Sequence, residues 1–212
     1  MLTTTFKSLD EIRKFLPEKI FILHCYGCGE VSFSLEESRE KADQLREEFH
    51  VVGEEVADYL CRPDFTEKRI ELYRPDLEKA QAVLVFSCGV GVQTLAELLD
   101  MPVYTACDTL KLPGYAGLRP GDVECDRCGD CVVGYTAGVC PISNCSKGLV
   151  NGPCGGATDG KCEVDDSKDC AWMQIYDRLR EQGRTDLLEK VGSFRDYSKY
   201  EAPVEDESAA AG

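Results

Sequence analysis

The sequence predicts an α/β fold in residues 1–118, built on a parallel sheet, followed by a small cysteine-rich, loop-rich unit that ends in helices. Three observations carry this expectation. Buried-type apolar runs alternate with amphipathic stretches up to about residue 118. Residues 119–170 lose that periodicity and are rich in Gly, Cys, Asp and Pro. Eight of the 13 cysteines fall between Cys125 and Cys170.

The elements follow in order. Ser8-Leu-Asp-Glu11 is a capping box that opens a short helix to about Leu16. Lys19 to His24 (KIFILH) reads as a buried strand. Ser34-Leu-Glu-Glu37 is a second capping box, opening an amphipathic helix to about Phe49. Val51 to Tyr59 reads as a second strand, weakened by Glu54 and Glu55. Leu77 to Gln81 closes a helix, and Ala82 to Ser87 (AVLVFS) is the clearest strand. Gly91 to Leu99 starts a further helix, and Pro102 to Ala106 is a fourth strand. This alternation argues for parallel strands joined by right-handed crossovers. Residues 171–191 return to helix, broken near Gly183, and residues 201–212 are acidic, small and expected to be disordered.

The composition excludes several functions. The chain has 212 residues and is 43% hydrophobic, enough for a packed core. Its net charge of −15 repels nucleic-acid phosphates and anionic lipid. It suits solubility, or docking against a basic patch on another protein. No stretch approaches the roughly 20 apolar residues of a membrane span. The start of the chain has no apolar signal region, so a cytoplasmic location is expected. That compartment keeps thiols reduced, and clustered cysteines there bind metal more often than they pair.

The cysteines fall into two groups. Cys25 and Cys28 follow the first expected strand, Cys61 the second, Cys88 the third and Cys107 the fourth. Ligands of open α/β sheets gather at the carboxyl ends of the strands. A flavodoxin-like, Rossmann-like strand order of 2-1-3-4 makes Cys25, Cys28, Cys61 and Cys88 contiguous, with Cys107 as the alternate ligand. The glycines Gly27, Gly29 and Gly89 let backbone approach such a site. Gly89-Val-Gly91 lacks the third glycine of a dinucleotide fingerprint, because position 94 is Thr; it reads as a tight turn into a helix.

The second group opens with Cys125-x-x-Cys128-x-x-Cys131, a ferredoxin-like spacing that lets three thiolates bind one inorganic cluster. Cys140, Cys145, Cys154, Cys162 and Cys170 complete eight thiols, two sets of four. The triplet needs one distal cysteine. Where Cys140, before Pro141, crosses to the other set as in two-cluster ferredoxins, Cys162 or Cys170 closes the first. Spacing leaves that choice open. Zinc is the rival metal, above all for the later four, whose spacings carry no cluster signature. His24 and His50 read as packed or surface residues. The stripe Trp172, Tyr176, Leu179 reads as core or as a partner-facing surface. No Ser/His/Asp arrangement, paired carboxylates or P-loop occurs, so the chain is not expected to be catalytic alone.

The blocks HCYGCG (24–29), FSCGVGVQTLAELL (86–99), CDRCGDC (125–131) and CPISNCSKGLVNGPCGG (140–156), with GKCEV and CAW, resemble one family. It is the small cysteine-rich subunit of the two-subunit methylenetetrahydrofolate reductases of acetogenic bacteria. The same module resembles the C-terminal extension of some larger reductases. The resemblance covers residues 18–195. It implies one to three [4Fe-4S] clusters, with zinc possible at one site. It also implies a TIM-barrel partner subunit whose flavin reduces methylenetetrahydrofolate in the one-carbon metabolism of the Wood–Ljungdahl pathway. The small subunit would be non-catalytic, passing electrons from a low-potential donor such as ferredoxin to that flavin. The other reading is a zinc-binding structural or interaction subunit without redox work.

Overall fold

The computed structural model describes residues 3–26, 33–110 and 125–189. Cys28, Gly27 and Gly29, the domain boundary expected near residue 118, and the tail expected over 201–212 lie outside them. Among the described residues no helix is long and apolar enough to cross a membrane.

Strands β1 (Thr3–Phe6), β2 (Lys19–Cys25), β3 (His50–Ala57), β4 (Ala82–Phe86), β5 (Val103–Thr105) and β6 (Cys107–Leu110) form two sheets. The larger is parallel throughout, in the order β3-β2-β4-β5. That is the expected 2-1-3-4 order of the four sequence-legible strands. The central strands explain their own composition. Ile20 to Cys25 and Ala82 to Phe86 are buried without interruption, because helices cover both faces. Strand β3 is an edge, which is why it tolerates Glu54 and Glu55. Its register slips by one residue between Ile20 and Phe21, and Gly53 lies opposite Phe21. A Cβ on Gly53 would meet the Phe21 ring at 2.7 Å, so only glycine fits there.

One face of the sheet holds Ile20, Ile22, Leu84 and Phe86 against Ile12 of α1 (Leu9–Arg13) and Ala42 and Leu45 of α2 (Leu35–Arg46). The other holds Phe21, Leu23, Val83 and Val85 against α3 (Pro63–Leu77) and α4 (Gly89–Leu98). The expected capping box at Ser34 is complete, whereas at Ser8 only the hydroxyl half forms and the Glu11 carboxylate pairs with Lys7 instead. Ser8 accepts from the Glu11 N–H at 3.2 Å. Ser34 accepts from the Glu37 N–H at 3.1 Å, and the Glu37 carboxylate accepts from the Ser34 N–H at 2.8 Å. Ser34→Ala should therefore cost about 1 kcal/mol, read as a lowered thermal midpoint. Helix α3 ends at Leu77, four residues before the expected Gln81, and α4 begins at Gly89, two before the expected Gly91.

The second sheet pairs β1 with β6, antiparallel, from Thr3 opposite Leu110 to Phe6 opposite Cys107. The sequence reading stopped the last strand at Ala106. The chain instead turns at Ala106, where the Thr105 hydroxyl donates to the Cys107 carbonyl and accepts from the Cys107 N–H. It then continues as β6. Cys107 is thus inside a strand, almost fully buried.

The cysteine-rich segment has little regular structure, as expected. It contains one turn of helix, α5 (Pro141–Asn144), before α6 (Ala171–Glu181). Gly183, at φ +66°, ends α6, and a 3₁₀ turn, Thr185–Glu189, follows. Val133 and Cys140 pack in the same apolar cluster as Val92 and Val103, so this segment rests on the α3/α4 face of the sheet. A separate cluster of Ala137, Val139, Trp172, Ile175 and Leu179 joins α6 to it. His24 is buried, stacked on Phe86 with ring centroids 4.8 Å apart, and its Nδ1 lies 2.9 Å from Ser38 Oγ. His50 is exposed at the start of β3. Both histidines are structural.

Candidate metal centres

Three thiols of the front group stand at the carboxyl edge of the parallel sheet. Cys25 ends β2, Cys61 follows the turn after β3, and Cys88 is the N-cap residue of α4. Burial pushes the Cys25 thiol up to about 12, and the neighbouring Cys88 and Cys61 sulfurs push it the same way. The Leu60 N–H and the Ser87 hydroxyl oppose the shift. Ser87 Oγ is fully buried and makes no geometrically complete hydrogen bond. Its approach to Cys25 is that of a donor set beside sulfur without a full bond. Gly91 leaves it room, since a Cβ there would lie 2.3 Å from Ser87 Oγ. The glycines of the GVG run thus serve packing, not phosphate. Cys107 lies near Cys88 from within β6, and burial raises its thiol.

The Cys125 triplet curls because two residues between its cysteines adopt left-handed backbone, Arg127 at φ +54° and Gly129 at φ +72°. Strand β6 acts as its template. The Gly129 N–H donates to the Thr109 carbonyl at 2.9 Å, and Cys128 bridges to Leu110. The Cys131 N–H donates to Asp108 Oδ1 at 2.8 Å. Cys140 caps α5, with Pro141 at its first position, where a missing N–H costs nothing. Asn144 ties that turn to α4 by donating to Gln93 Oε1 at 3.3 Å. The result is a small cavity, partly open to solvent, lined by Cys125, Cys128, Cys131 and Cys140 together with Gly89 and Thr109. Burial pushes the Cys125 thiol up to about 12 and raises Cys131 as well. Cys125 also feels Cys88, so the front group and this cavity are neighbours.

The remaining four cysteines line a second small cavity, also partly open: Cys145, Cys154, Cys162 and Cys170, with Glu163 and Trp172. A small ladder joins Thr158, Lys161 and Asp169. The Cys162 N–H donates to the Lys168 carbonyl and the Cys170 N–H to the Gly160 carbonyl. Cys170 then caps α6, and Trp172 Nε1 donates to the Leu149 carbonyl at 2.8 Å, fixing the far wall. The Ser146 hydroxyl, then the N–H groups of Val164 and Asp165, hold the Cys162 thiol below its ordinary value. The Gly156 N–H donates to Cys154 Sγ at 3.5 Å. Cys140 and Cys145 stand at the two ends of α5, one on each cavity.

Two features suit these residues to a bound inorganic group. Each cavity is walled by four thiols. Gly89 is a cradle against Cys125, whose sulfur lies 2.7 Å from where a Cβ would stand. Among the described residues no three His, Cys, Asp or Glu side chains converge closely enough to hold a single metal ion. Nothing in the sequence pattern pointed to Ser87, just past the end of β4, nor to Lys7, Asp108 and Thr109, ordinary residue types made important by the pairing of β1 with β6.

Residues 104–198 match the family model described as methylene-tetrahydrofolate reductase C terminal. The match takes in β6, both four-cysteine cavities and α6, and it supports a link to the methylenetetrahydrofolate reductase system. The front thiols Cys25, Cys61 and Cys88 lie outside this reductase C-terminal match. Comparison with curated proteins and with solved structures gives no match.

Proposed function

We propose that the protein is the electron-transfer subunit of a methylenetetrahydrofolate reductase complex. It takes electrons from a low-potential donor such as ferredoxin. It delivers them to the flavin of a TIM-barrel partner subunit that makes 5-methyltetrahydrofolate. The observation that carries this reading is the sorting of eight cysteines into two cavities, four to each, within the segment that matches the reductase C-terminal family. Cys125, Cys128, Cys131 and Cys140 would hold one [4Fe-4S] cluster. Cys145, Cys154, Cys162 and Cys170 would hold a second. Cys25, Cys61 and Cys88, with Cys28, would hold a third.

Bound there, such clusters supply one-electron transfer. The chain's own residues do the rest. Glycines beside the thiols admit the group. The N–H groups of Gly156, Val164 and Asp165 and the Ser146 hydroxyl face the sulfurs of the second cavity and stabilise charge on them. Val133 and Ile142 give the first cavity an apolar wall. The net charge of −15 holds potentials low.

Zinc in the second cavity is the other reading, favoured by the spacing of Cys145, Cys154, Cys162 and Cys170, which carries no cluster signature. Gly89→Ala separates a filled first cavity from an empty one. Its Cβ would displace Cys125, so iron bound there should fall while iron in the second cavity stays. The functional test is anaerobic mixing of reduced ferredoxin with the flavoprotein partner. Flavin reduction should require this chain with its iron in place. Full-rate reduction without it, or with an iron-free preparation, would overturn the proposal.

A further inference from the structure

The chain has 24 Lys and Arg and 39 Asp and Glu. Among the described ones only Lys7 and Asp108 are buried. They are buried against each other, with Lys7 Nζ 2.7 Å from Asp108 Oδ1 and 2.5 Å from Glu11 Oε1. The same Asp108 oxygen accepts from the Cys131 N–H at 2.8 Å. A buried ion pair is a poor device for stability, because apolar residues of equal size often serve as well. This one sits where the two-stranded sheet of β1 and β6 meets the cysteine triplet.

We propose that Lys7 and Asp108 are positioning residues for the centre held by Cys125, Cys128, Cys131 and Cys140, fixing Cys131 and setting the reduction potential of that centre by their opposed charges. The inference rests on the iron–sulfur reading given above. Reduction adds one negative charge to the centre. The Lys7 ammonium attracts that charge, while Asp108 and Glu11 repel it. Lys7 is anchored in place, since its N–H donates to the Ala106 carbonyl at 2.9 Å. Burial alone would lower the Lys7 ammonium, but Asp108, by charge and by hydrogen bond, keeps it above the ordinary lysine value. The Lys7 ammonium therefore stays charged throughout the neutral range. Beside it lies a small cavity, partly open to solvent, that reaches Cys131, Tyr135 and Glu11.

The test is a potentiometric titration of the whole chain, prepared without oxygen, with iron and sulfide counted on every sample. Asp108→Asn retains an Oδ1 that can accept from Cys131 and loses only the charge. It should raise the midpoint potential, enriching the reduced form about tenfold at fixed ambient potential, or about 59 mV for one electron. Lys7→Gln should move it the opposite way. Glu11→Gln, at the half-exposed end of the triad, should raise it less. It decides the sign if a buried variant fails to load. Shifts of the same sign in Asp108→Asn and Lys7→Gln, or no shift in loaded variants, would overturn the inference and leave the iron–sulfur reading standing. Wild-type protein without iron and sulfide would remove the reading itself, and the inference with it.

Discussion

Cys140→Ser lowers the iron content of oxygen-free protein by the same amount as Cys128→Ser, about four atoms per chain. The double variant Cys128→Ser/Cys140→Ser loses no more than either single change. Cys128→Ser/Cys162→Ser loses twice as much. This is the double-mutant logic of shared and separate sites. It follows from which sulfurs line which cavity, Cys140 with the triplet and Cys162 with Cys145, Cys154 and Cys170. Helix α5 is the physical reason. Its single turn places Cys140 and Cys145 at opposite ends, and Asn144 pins it to Gln93. Should Cys140→Ser instead remove the same iron as Cys162→Ser, the cysteine before Pro141 crosses between the sets.

Leu179→Ala costs about 2–5 kcal/mol, the range for a fully buried leucine. In a chain of this size that lowers the thermal midpoint by roughly 2–4 °C per kcal/mol. Leu179 is 0% exposed and packs with Ile175, Trp172 and Val139. Helix α6 is bound to the loops by two further contacts, Arg178 donating to the Ala137 carbonyl and Trp172 to the Leu149 carbonyl, and just past its end Arg184 donates to the Gly134 carbonyl. Because Cys170 caps α6, loosening this helix should also speed loss of metal from the second cavity to a chelator. The exposed Tyr176, one helical turn before Arg180, should tolerate alanine within about 0.5 kcal/mol. A melt of Leu179→Ala indistinguishable from wild type would show that α6 does not hold the cysteine-rich segment.

The parallel sheet was legible because its two central strands are buried on both faces and so read as unbroken apolar runs. The caps were legible because Ser8 and Ser34 precede glutamates at the capping spacing. Strand β1 was not. Its TTTF run is short and polar, and it exists only because Cys107–Leu110 returns to pair with it. The same long-range pairing hides Asp108 and Lys7, whose importance comes from 101 residues of separation closing to 2.7 Å. The places of Cys25, Cys61 and Cys88 at the sheet edge were legible from the strands before them, whereas Cys107, expected after a strand, lies inside β6. The partition of the later eight was not, because the fourth partner of the triplet depends on how α5 packs on α4, which spacing does not encode.

The central claim is that these thiols hold iron–sulfur clusters. The direct measurement is iron, acid-labile sulfide and zinc per chain in protein prepared without oxygen, with its visible absorbance followed on adding dithionite. Three four-iron clusters predict about 12 iron and as much sulfide, in a brown protein that bleaches on reduction. A colourless protein with stoichiometric zinc and no sulfide would contradict it.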